Sequence, residues 1–166
     1  HQFVEEAAHR GASCLIVSYV PTPTNGSASV PTILVEDTTE ALGNLARFHR
    51  RRFGLPVIAV TGSCGKTTTK ELIAHLLGDS TTVLKTFGTQ NNHIGVPLTL
   101  LRLTSSHRTA VVELGSNHPG EIAYLASIVE CLGSKSLVAD EMHKLTGKSY
   151  YDAIAQDTIA MAVNDL

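Results

Sequence analysis

The stretch VIAVTGSCGKTT, residues 57–68, decides the fold of this chain. It begins as a short apolar run rich in β-branched residues, which predicts a buried strand, and it stops in a loop bounded by Gly62 and Gly65. Backbone N–H groups of such a loop point inward, and the N-terminus of a following helix adds partial positive charge, so the loop suits phosphate oxygens. Lys66 would add a formal charge, and Thr67 a hydroxyl where phosphate-loop proteins ligate Mg2+.

The glycine spacing of this loop departs from the general phosphate-loop pattern. That pattern places a glycine five residues before the second glycine, and this chain has Val60 there. A glycine-rich turn without a ligand is the alternative interpretation. The flanking strand and helix favour a phosphate loop, because that motif requires both.

Length and composition limit the classes of function. The 166 residues are enough for one domain with a core, and the formal net charge of −2 gives no indication of a nucleic-acid partner. No apolar run approaches the roughly 20 residues that span a bilayer. Cys14, Cys64 and Cys131 are far apart and odd in number, which favours a reducing cytoplasm over a disulfide framework.

Strand and helix patterns alternate along the first 130 residues. We predict strands over residues 13–20, 32–35, 57–60, 82–85 and 109–114. Helices are predicted over residues 2–12, 66–77, 97–103 and 120–128, and a further helix is predicted to begin after a cap at Asp37. This alternation predicts an α/β fold with a mostly parallel sheet and ligands at the carboxyl ends of its strands. Lys66, Glu113 and the polar loop at Asn91 and Asn92 fall at that edge.

The apolar residues of two helices predict which sides they bury. Leu72, Ile73, Leu76 and Leu77 are expected in the core, and Leu42, Leu45 and Phe48 share one side of the helix that follows Asp37. We interpret the basic cluster of Arg47, Arg50, Arg51 and Arg52 as a solvated helix end, where cations suit the helix dipole, with a binding patch as the alternative.

Three motifs occur in one order: TGSCGKTTTKE, NNHIGVPLTLL and VVELGSNHPGEIAYLA. Together they resemble the Mur ligases, and within that family the members that add D-alanyl-D-alanine to UDP-N-acetylmuramoyl tripeptide. The opening HQFVEEAAHRGASCLIV resembles the end of the N-terminal UDP-substrate-binding domain of those enzymes. The resemblance implies that residues 1–53 end that α/β domain. It also implies that residues 54–129 form an incomplete, P-loop NTPase-like central domain that binds ATP.

The resemblance further implies an ATP-dependent ligase of peptidoglycan synthesis that acts through an acyl phosphate. Its expected cofactors are ATP and Mg2+, and its expected partners are a nucleotide and a UDP-linked muramoyl peptide, with no nucleic acid and no membrane span. A cytoplasmic location is expected. The chain opens with His1 and has methionine only at Met142 and Met161, so we expect an internal piece of a longer protein, without turnover by itself.

Site residues follow from the resemblance by position. Those expected to bind the nucleotide are Thr61, Gly62, Ser63, Gly65, Lys66, Thr67, Thr68, Asn91 and Asn92. The candidate catalytic residues are Lys66 and Glu113, and the candidate metal ligands are Thr67, Glu113 and His118. The alternatives are a surface carboxylate for Glu113, turn formation for the two asparagines and helix capping for His118.

The last segment, residues 130–166, has a different resemblance. GSK, TGKSYYDAIAQDTIAM and VNDL are similar to an early part of aminoimidazole ribonucleotide synthetase, the purine-pathway cyclo-ligase, and this would bring Lys135 and Asp165 near an ATP site. We therefore expect a join near residues 128–131, followed by a separately packed helical appendage. A nucleotide-binding or structural hybrid without turnover, and a fragment of the cyclo-ligase, are the alternative functions.

Overall fold

The computed structural model describes residues 3–19 and 30–130. The helices are α1 Val4–His9, α2 Thr38–Arg51, α3 Lys66–Leu77, α4 Gly95–Leu100 and α5 Glu121–Val129. The strands are β1 Leu15–Val17, β2 Thr32–Leu34, β3 Val57–Val60, β4 Val83–Lys85 and β5 Thr109–Glu113. Every predicted element within the described residues is present, and β3 and α3 have the predicted bounds.

The chain divides into two compact units, His1–Leu42 and Gly43–Leu166. The first unit contains α1 and a two-stranded parallel sheet in which Leu15 of β1 lies opposite Thr32 of β2. Asp37 caps α2 as predicted, because its Oδ1 accepts hydrogen bonds from the backbone N–H groups of Thr39 and Glu40. The cyclo-ligase-like segment and its predicted appendage lie outside the described residues.

The second unit contains a parallel sheet in the order β3-β5-β4, so β5 is its central strand. Val57 of β3 lies opposite Ala110, and Val83 of β4 lies opposite Thr109. Together with the helices this confirms the predicted α/β fold with parallel strands. Within the described residues no helix is both long and apolar enough to cross a membrane.

Helices cover both faces of β5. Because successive side chains of a strand point to opposite faces, Ala110 and Val112 pack on one side with Leu100 of α4 and Ile128 of α5. Val111 packs on the other side with Ala74 of α3. Four of the five residues of β5 are buried, as expected for a central parallel strand.

The predicted buried side of α3 is wrong at three of its four positions. Leu72, Leu76 and Leu77 are exposed, Ile73 is partly buried against the core as predicted, and the buried residues of this helix are Lys70 and Ala74. Lys70 and Ala74 are four positions apart and lie on the same face of the helix. The buried face is therefore set by contacts with the sheet and not by the richest apolar stripe.

The predicted apolar side of α2 is also not its buried side. Leu45 and Phe48 are exposed, whereas Gly43 and Ala46 are buried. A Cβ at Gly43 would lie 2.5 Å from Oη of Tyr124, so α5 approaches α2 at a position where a side chain is missing. Small residues allow this close approach, which a hydrophobicity pattern does not indicate.

The arginines of α2 do more than end a solvated helix. Arg50 donates hydrogen bonds to the carbonyl oxygens of Phe53, Leu55 and Val129. Arg47 and Arg51 both pair with the Glu130 carboxylate at the end of α5. These hydrogen bonds lower the pKa of Glu130, with that of Arg51 the largest cause. Arg47, Arg50 and Arg51 thus make contacts within the second unit, whereas Arg52 is exposed, as expected for a solvated helix end.

Candidate functional site

The glycine loop follows β3 and leads directly into α3. Gly62 has φ 142° and Gly65 has φ 76°, a region of backbone conformation that side chains other than glycine rarely adopt. A Cβ at Gly65 would meet no atom within 4 Å, so the loop faces open space at this point. The first backbone N–H groups of the 12-residue helix α3 face the same end. The loop can therefore present N–H donors and the helix dipole to an anion.

Lys66 lies over this loop. Its Nζ donates hydrogen bonds to the carbonyl oxygen of Gly62 at 2.7 Å and to that of Ser63 at 3.4 Å. The ammonium group is therefore held at the loop by the backbone that carries the glycines. A positive charge at this position attracts phosphate oxygens.

Glu113, the last residue of β5, is buried with 1% of its surface exposed. One carboxylate oxygen accepts a hydrogen bond from Oγ1 of Thr67 at 3.0 Å, and the other accepts one from Nδ2 of Asn91 at 2.8 Å. Three elements, α3, β5 and the loop after β4, thus meet at one carboxylate. Glu113 is not the exposed edge carboxylate considered as its alternative.

The two asparagines have different roles in the loop before α4. The Asn91 side chain lies against Gly115, since a Cβ there would be 2.5 Å from Cγ of Asn91, and the Asn91 carbonyl accepts a hydrogen bond from the Gly115 N–H. Oδ1 of Asn92 accepts hydrogen bonds from the N–H groups of Ile94 and Gly95 at the start of α4. Asn92 therefore caps a helix, which is close to its alternative interpretation as a turn former.

A cavity of about 190 Å³ opens beside these residues. It is lined by Lys66, Asn91, Asn92, His93, Gly115, Ser116, Asn117, Glu121, Tyr124 and Leu125. Polar groups converge on it from the glycine loop, from the loop after β5, and from the loop between β4 and α4 that carries Asn91 and Asn92, here called the asparagine loop. This is the kind of concave site in which a small number of polar groups orient a ligand.

The remaining predicted residues lie in different surroundings. Thr61 is buried at the end of β3, whereas Ser63 and Thr68 are exposed around the start of α3. His118 is exposed, and its Nδ1 lies 3.3 Å from Oε1 of Glu121. The structure does not bring His118 into the hydrogen-bonded group of Thr67, Glu113 and Asn91.

Glu121 organises the turn that carries His118. One of its oxygens accepts hydrogen bonds from the backbone N–H groups of Asn117 and His118. These bonds lower the pKa of Glu121, with the Asn117 N–H as the largest cause. The carboxylate thus holds the turn that precedes α5, and Glu121 lines the cavity, a position that the motif alone did not indicate.

The oxygens around Thr67 are suited to Mg2+, which prefers oxygen ligands and keeps several waters. Oγ1 of Thr67 and Oε2 of Glu113 are 3.0 Å apart at the N-terminus of α3. In residues 3–19 and 30–130, no group of three or more His, Cys, Asp or Glu could hold a metal ion. A magnesium ion here would rely on a hydroxyl, one carboxylate, phosphate oxygens and water.

Sequence reasoning gave no role to Lys70, which is completely buried. Its Nζ donates to the carbonyl oxygens of Thr86 at 2.8 Å and Gly88 at 3.1 Å, and lies 2.9 Å from Oε1 of Glu71. Hydrogen bonds from Lys85 and then from Lys70 lower the pKa of Glu71. A usable signal was present, because Lys70 follows Lys66 by four positions and both side chains therefore point to one side of α3.

These features define the class: an α/β domain with a glycine loop between a strand and a helix at the carboxyl edge of a parallel sheet. The model of the Mur ligase middle domain matches residues 60–132. Over these residues the chain is similar to the Mur ligase family.

Individual relatives agree with this family. The chain is 48% identical over 134 residues to UDP-N-acetylmuramoyl-tripeptide–D-alanyl-D-alanine ligase of Haemophilus influenzae, a match over 78% of this chain and 28% of the relative. The crystal structure II of MurF from Acinetobacter baumannii has a TM-score of 0.68 at 41% identity and covers 79% of this chain and 28% of that one. The MurF ligase of Thermotoga maritima in complex with ADP has a TM-score of 0.67 at 36% identity, covering 77% and 29%.

The chain thus spans about 28% of the length of the curated relatives it matches. The family resemblance inferred from the three motifs is confirmed.

Proposed function

We propose that this chain is part of an ATP-dependent ligase that joins D-alanyl-D-alanine to UDP-N-acetylmuramoyl tripeptide in peptidoglycan synthesis. The observation that carries the proposal is the contact between Thr67 and the buried Glu113 carboxylate beside the Lys66 loop. It lies inside the segment matched by the Mur ligase middle domain. A relative in complex with ADP supports a nucleotide as ligand.

The nucleotide phosphates would bind at the start of α3. Backbone N–H groups from Thr61 to Gly65 and the Lys66 ammonium are the donors, with Thr67 and Thr68 in the first turn of the helix. Oγ1 of Thr67 and the Glu113 carboxylate would hold Mg2+, which neutralises charge on the phosphate oxygens. We keep His118 as a candidate for the metal side of the site through a ligand or water, since its own partner is Glu121.

The reaction has two steps in this proposal. A carboxylate oxygen of the tripeptide attacks the γ-phosphorus of ATP, the bond to the β-phosphate oxygen breaks, and ADP leaves. The amine nitrogen of the dipeptide then attacks the carbonyl carbon of the acyl phosphate, the bond to phosphate breaks, and the nitrogen loses a proton. No protein nucleophile is required, so positioning and charge stabilisation supply the catalysis. Lys66 would stabilise the charge on the transferred phosphoryl group, because its ammonium group lies at the loop.

The cavity beside the asparagine loop is the proposed entrance for the acyl substrate. Asn91 and Asn92 line it together with Lys66, so a group bound there would approach the end of the triphosphate. We propose that residues 1–53 and 54–129 belong to a UDP-substrate domain and an ATP-binding domain. A cytoplasmic location stays a prediction, with which the free thiols of Cys14 and Cys64 are compatible.

Titration calorimetry with Mg-ATP tests the proposal on the 166-residue chain and on Lys66→Ala. Loss of one charge-assisted contact of about 1.5–3 kcal/mol is expected to weaken binding about 10- to 150-fold. Nucleotide binding is the property to measure, because the chain spans only part of its relatives.

Lys85→Ala is the matched control. Lys85 pairs with Glu71 and lies outside the cavity lining, so its removal should leave ATP affinity unchanged. Equal affinity of Lys66→Ala and the wild-type chain would reject the phosphate loop. Absence of Mg-ATP binding at millimolar concentration in the wild-type chain would reject the proposed function.

A further inference from the structure

Lys70 is a lysine without any exposed surface, located one turn beyond the phosphate-loop residues of α3. An ammonium group has three N–H donors, and three oxygens lie within hydrogen-bond distance of Nζ: those of Thr86, Gly88 and Glu71. Burial of a charge is unfavourable unless it is paired and hydrogen-bonded, and this lysine meets both conditions. A fully satisfied buried cation fixes the groups around it.

The groups that Lys70 holds belong to the loop after β4. Thr86 and Gly88 are the first and third residues beyond that strand, and their carbonyl oxygens both point to the ammonium group. Asn91, which contacts the Glu113 carboxylate, follows Gly88 by three residues. The start of the asparagine loop is therefore tied to the helix that carries Lys66 and Thr67.

Lys70 also acts on Glu113 in two ways. Nζ lies 4.0 Å from Oε2 of Glu113, the oxygen that accepts the Thr67 hydrogen bond. Thr86, whose carbonyl Lys70 holds, accepts a hydrogen bond at Oγ1 from the Glu113 backbone N–H. One contact is by charge and the other is through a buried threonine, and both fix the carboxylate where it faces Thr67.

We propose that Lys70 is a positioning residue of the nucleotide and metal site. It holds the asparagine loop and the Glu113 carboxylate in the geometry that receives a magnesium nucleotide, and touches neither ligand itself. This inference rests on the proposed function. Glu71 and Lys85 complete the cluster at its exposed end, where Glu71 bridges the two lysines.

The test measures the Mg2+ dependence of nucleotide binding by calorimetry, with ADP titrated at a series of Mg2+ concentrations. Lys70→Met keeps the length of the side chain and removes the charge and the donors. We expect the Mg2+ concentration for half-maximal enhancement of ADP affinity to rise about tenfold. A lysine with only a structural role would lower the melting temperature and leave this concentration unchanged.

Lys85→Met is the matched control, because it removes the other lysine of the cluster and leaves the contacts of Lys70 with Thr86, Gly88 and Glu113. It should reproduce the wild-type Mg2+ curve. An equal shift in Lys85→Met, or an unchanged curve in folded Lys70→Met, would overturn the proposal. If the wild-type chain binds no ADP at all, the proposed function is rejected. The positioning role of Lys70 is then decided by hydrogen exchange.

Hydrogen exchange without nucleotide provides that independent measurement. The amides of Gln90 and Asn91 are bonded to carbonyls within their own loop, and Lys70 anchors the start of this loop at Gly88. Lys70→Met should speed their exchange about tenfold, and Lys85→Met should not. If Lys70→Met does not fold, Lys70→Gln replaces it, since its amide N–H groups can still reach carbonyls. A smaller shift of the Mg2+ curve, about two- to threefold, is then expected, and no shift would overturn the proposal.

Discussion

The two parallel sheets of this chain contain similar apolar residues but bury them to different extents. Ile33 and Leu34 of β2 are 52% and 59% exposed, whereas Val111 and Val112 of β5 are fully buried. β5 has α3 on one face and α4 with α5 on the other. The comparison shows that an apolar run in the sequence predicts a strand of a sheet. The helices packed on that sheet decide how much apolar area of the strand is buried, and therefore how much it stabilises the fold.

The largest expected difference concerns the cores of the two units. Leu100→Ala removes a completely buried side chain from the cluster beside β5 and should lower the free energy of unfolding by about 2–5 kcal/mol. Ile33→Ala in β2 should cost less than about 0.5 kcal/mol, because the side chain is half exposed. Urea denaturation followed by circular dichroism measures both. Similar losses would mean that β2 is buried to the same extent as the second unit.

Two glycines of the second unit give the next test. A Cβ at Gly95 would lie 2.5 Å from the backbone C and O of Gln90, so Gly95→Ala has to displace the asparagine loop. We expect a loss of about 1–3 kcal/mol, together with weaker Mg-ATP binding. Gly54→Ala is the matched control, because its Cβ would meet no atom within 4 Å. Its stability should stay equal to that of wild type or rise by less than about 1 kcal/mol. A neutral Gly95→Ala would contradict the close packing of this loop.

The smallest effect is expected from the ion pairs between α2 and Glu130. Folding lowers the pKa of Glu130, so the ionised carboxylate stabilises the fold. This stabilisation is fully present above the unfolded pKa of about 4.3 and is lost as pH falls through the lower pKa of the folded state. Glu130→Gln should cost about 0.2–1 kcal/mol at pH 7, a low value because both arginines are partly exposed. The free energy of unfolding of Glu130→Gln should also decrease less steeply than that of wild type as pH falls from 5 to 3.

Glu36→Gln, an exposed carboxylate of the first unit, serves as the control for that pH profile. It should follow the wild-type curve throughout. A Glu130→Gln profile that is parallel to wild type below pH 5 would show that the arginines stabilise α2 without this carboxylate.

Most elements of the fold and the centre of the site were predictable from the sequence. The loop from Thr61 to Gly65 and the helix that begins at Lys66 combine strong local signals, which are two closely spaced glycines and a clear change of hydrophobic period. In the structure both glycines have a positive φ. Glu113 was found because it ends an apolar strand, which places an acid at the sheet edge. In these cases the determining contacts are within a few residues or follow from parallel topology.

The features that the sequence did not predict depend on distant contacts. The acceptors of Lys70 are 16 and 18 positions away in the chain, and a lysine in a helix is ordinarily expected to be solvated. Burial of Gly43 depends on Tyr124 and Ile128 of α5. Periodicity indicates which residues are able to face a core, but neighbours that are remote in sequence decide which of them do.

The central position of β5 sets a delay in biosynthesis. Ala110 follows its partner Val57 by 53 residues, and β4 also has β5 as its partner strand among the residues that the structure describes. A ribosome that adds about 5–20 residues per second needs about 3–10 s to make that interval. For all of this interval β3 has been made without its partner strand, and β4 joins it in that state once residues 83–85 are made, so their unpaired backbone groups can bind other chains. Synthesis of β5 supplies the pairing partner for one side of β3 and one side of β4, so a pause in translation before Thr109 should increase the aggregation of this chain more than a pause after Glu113.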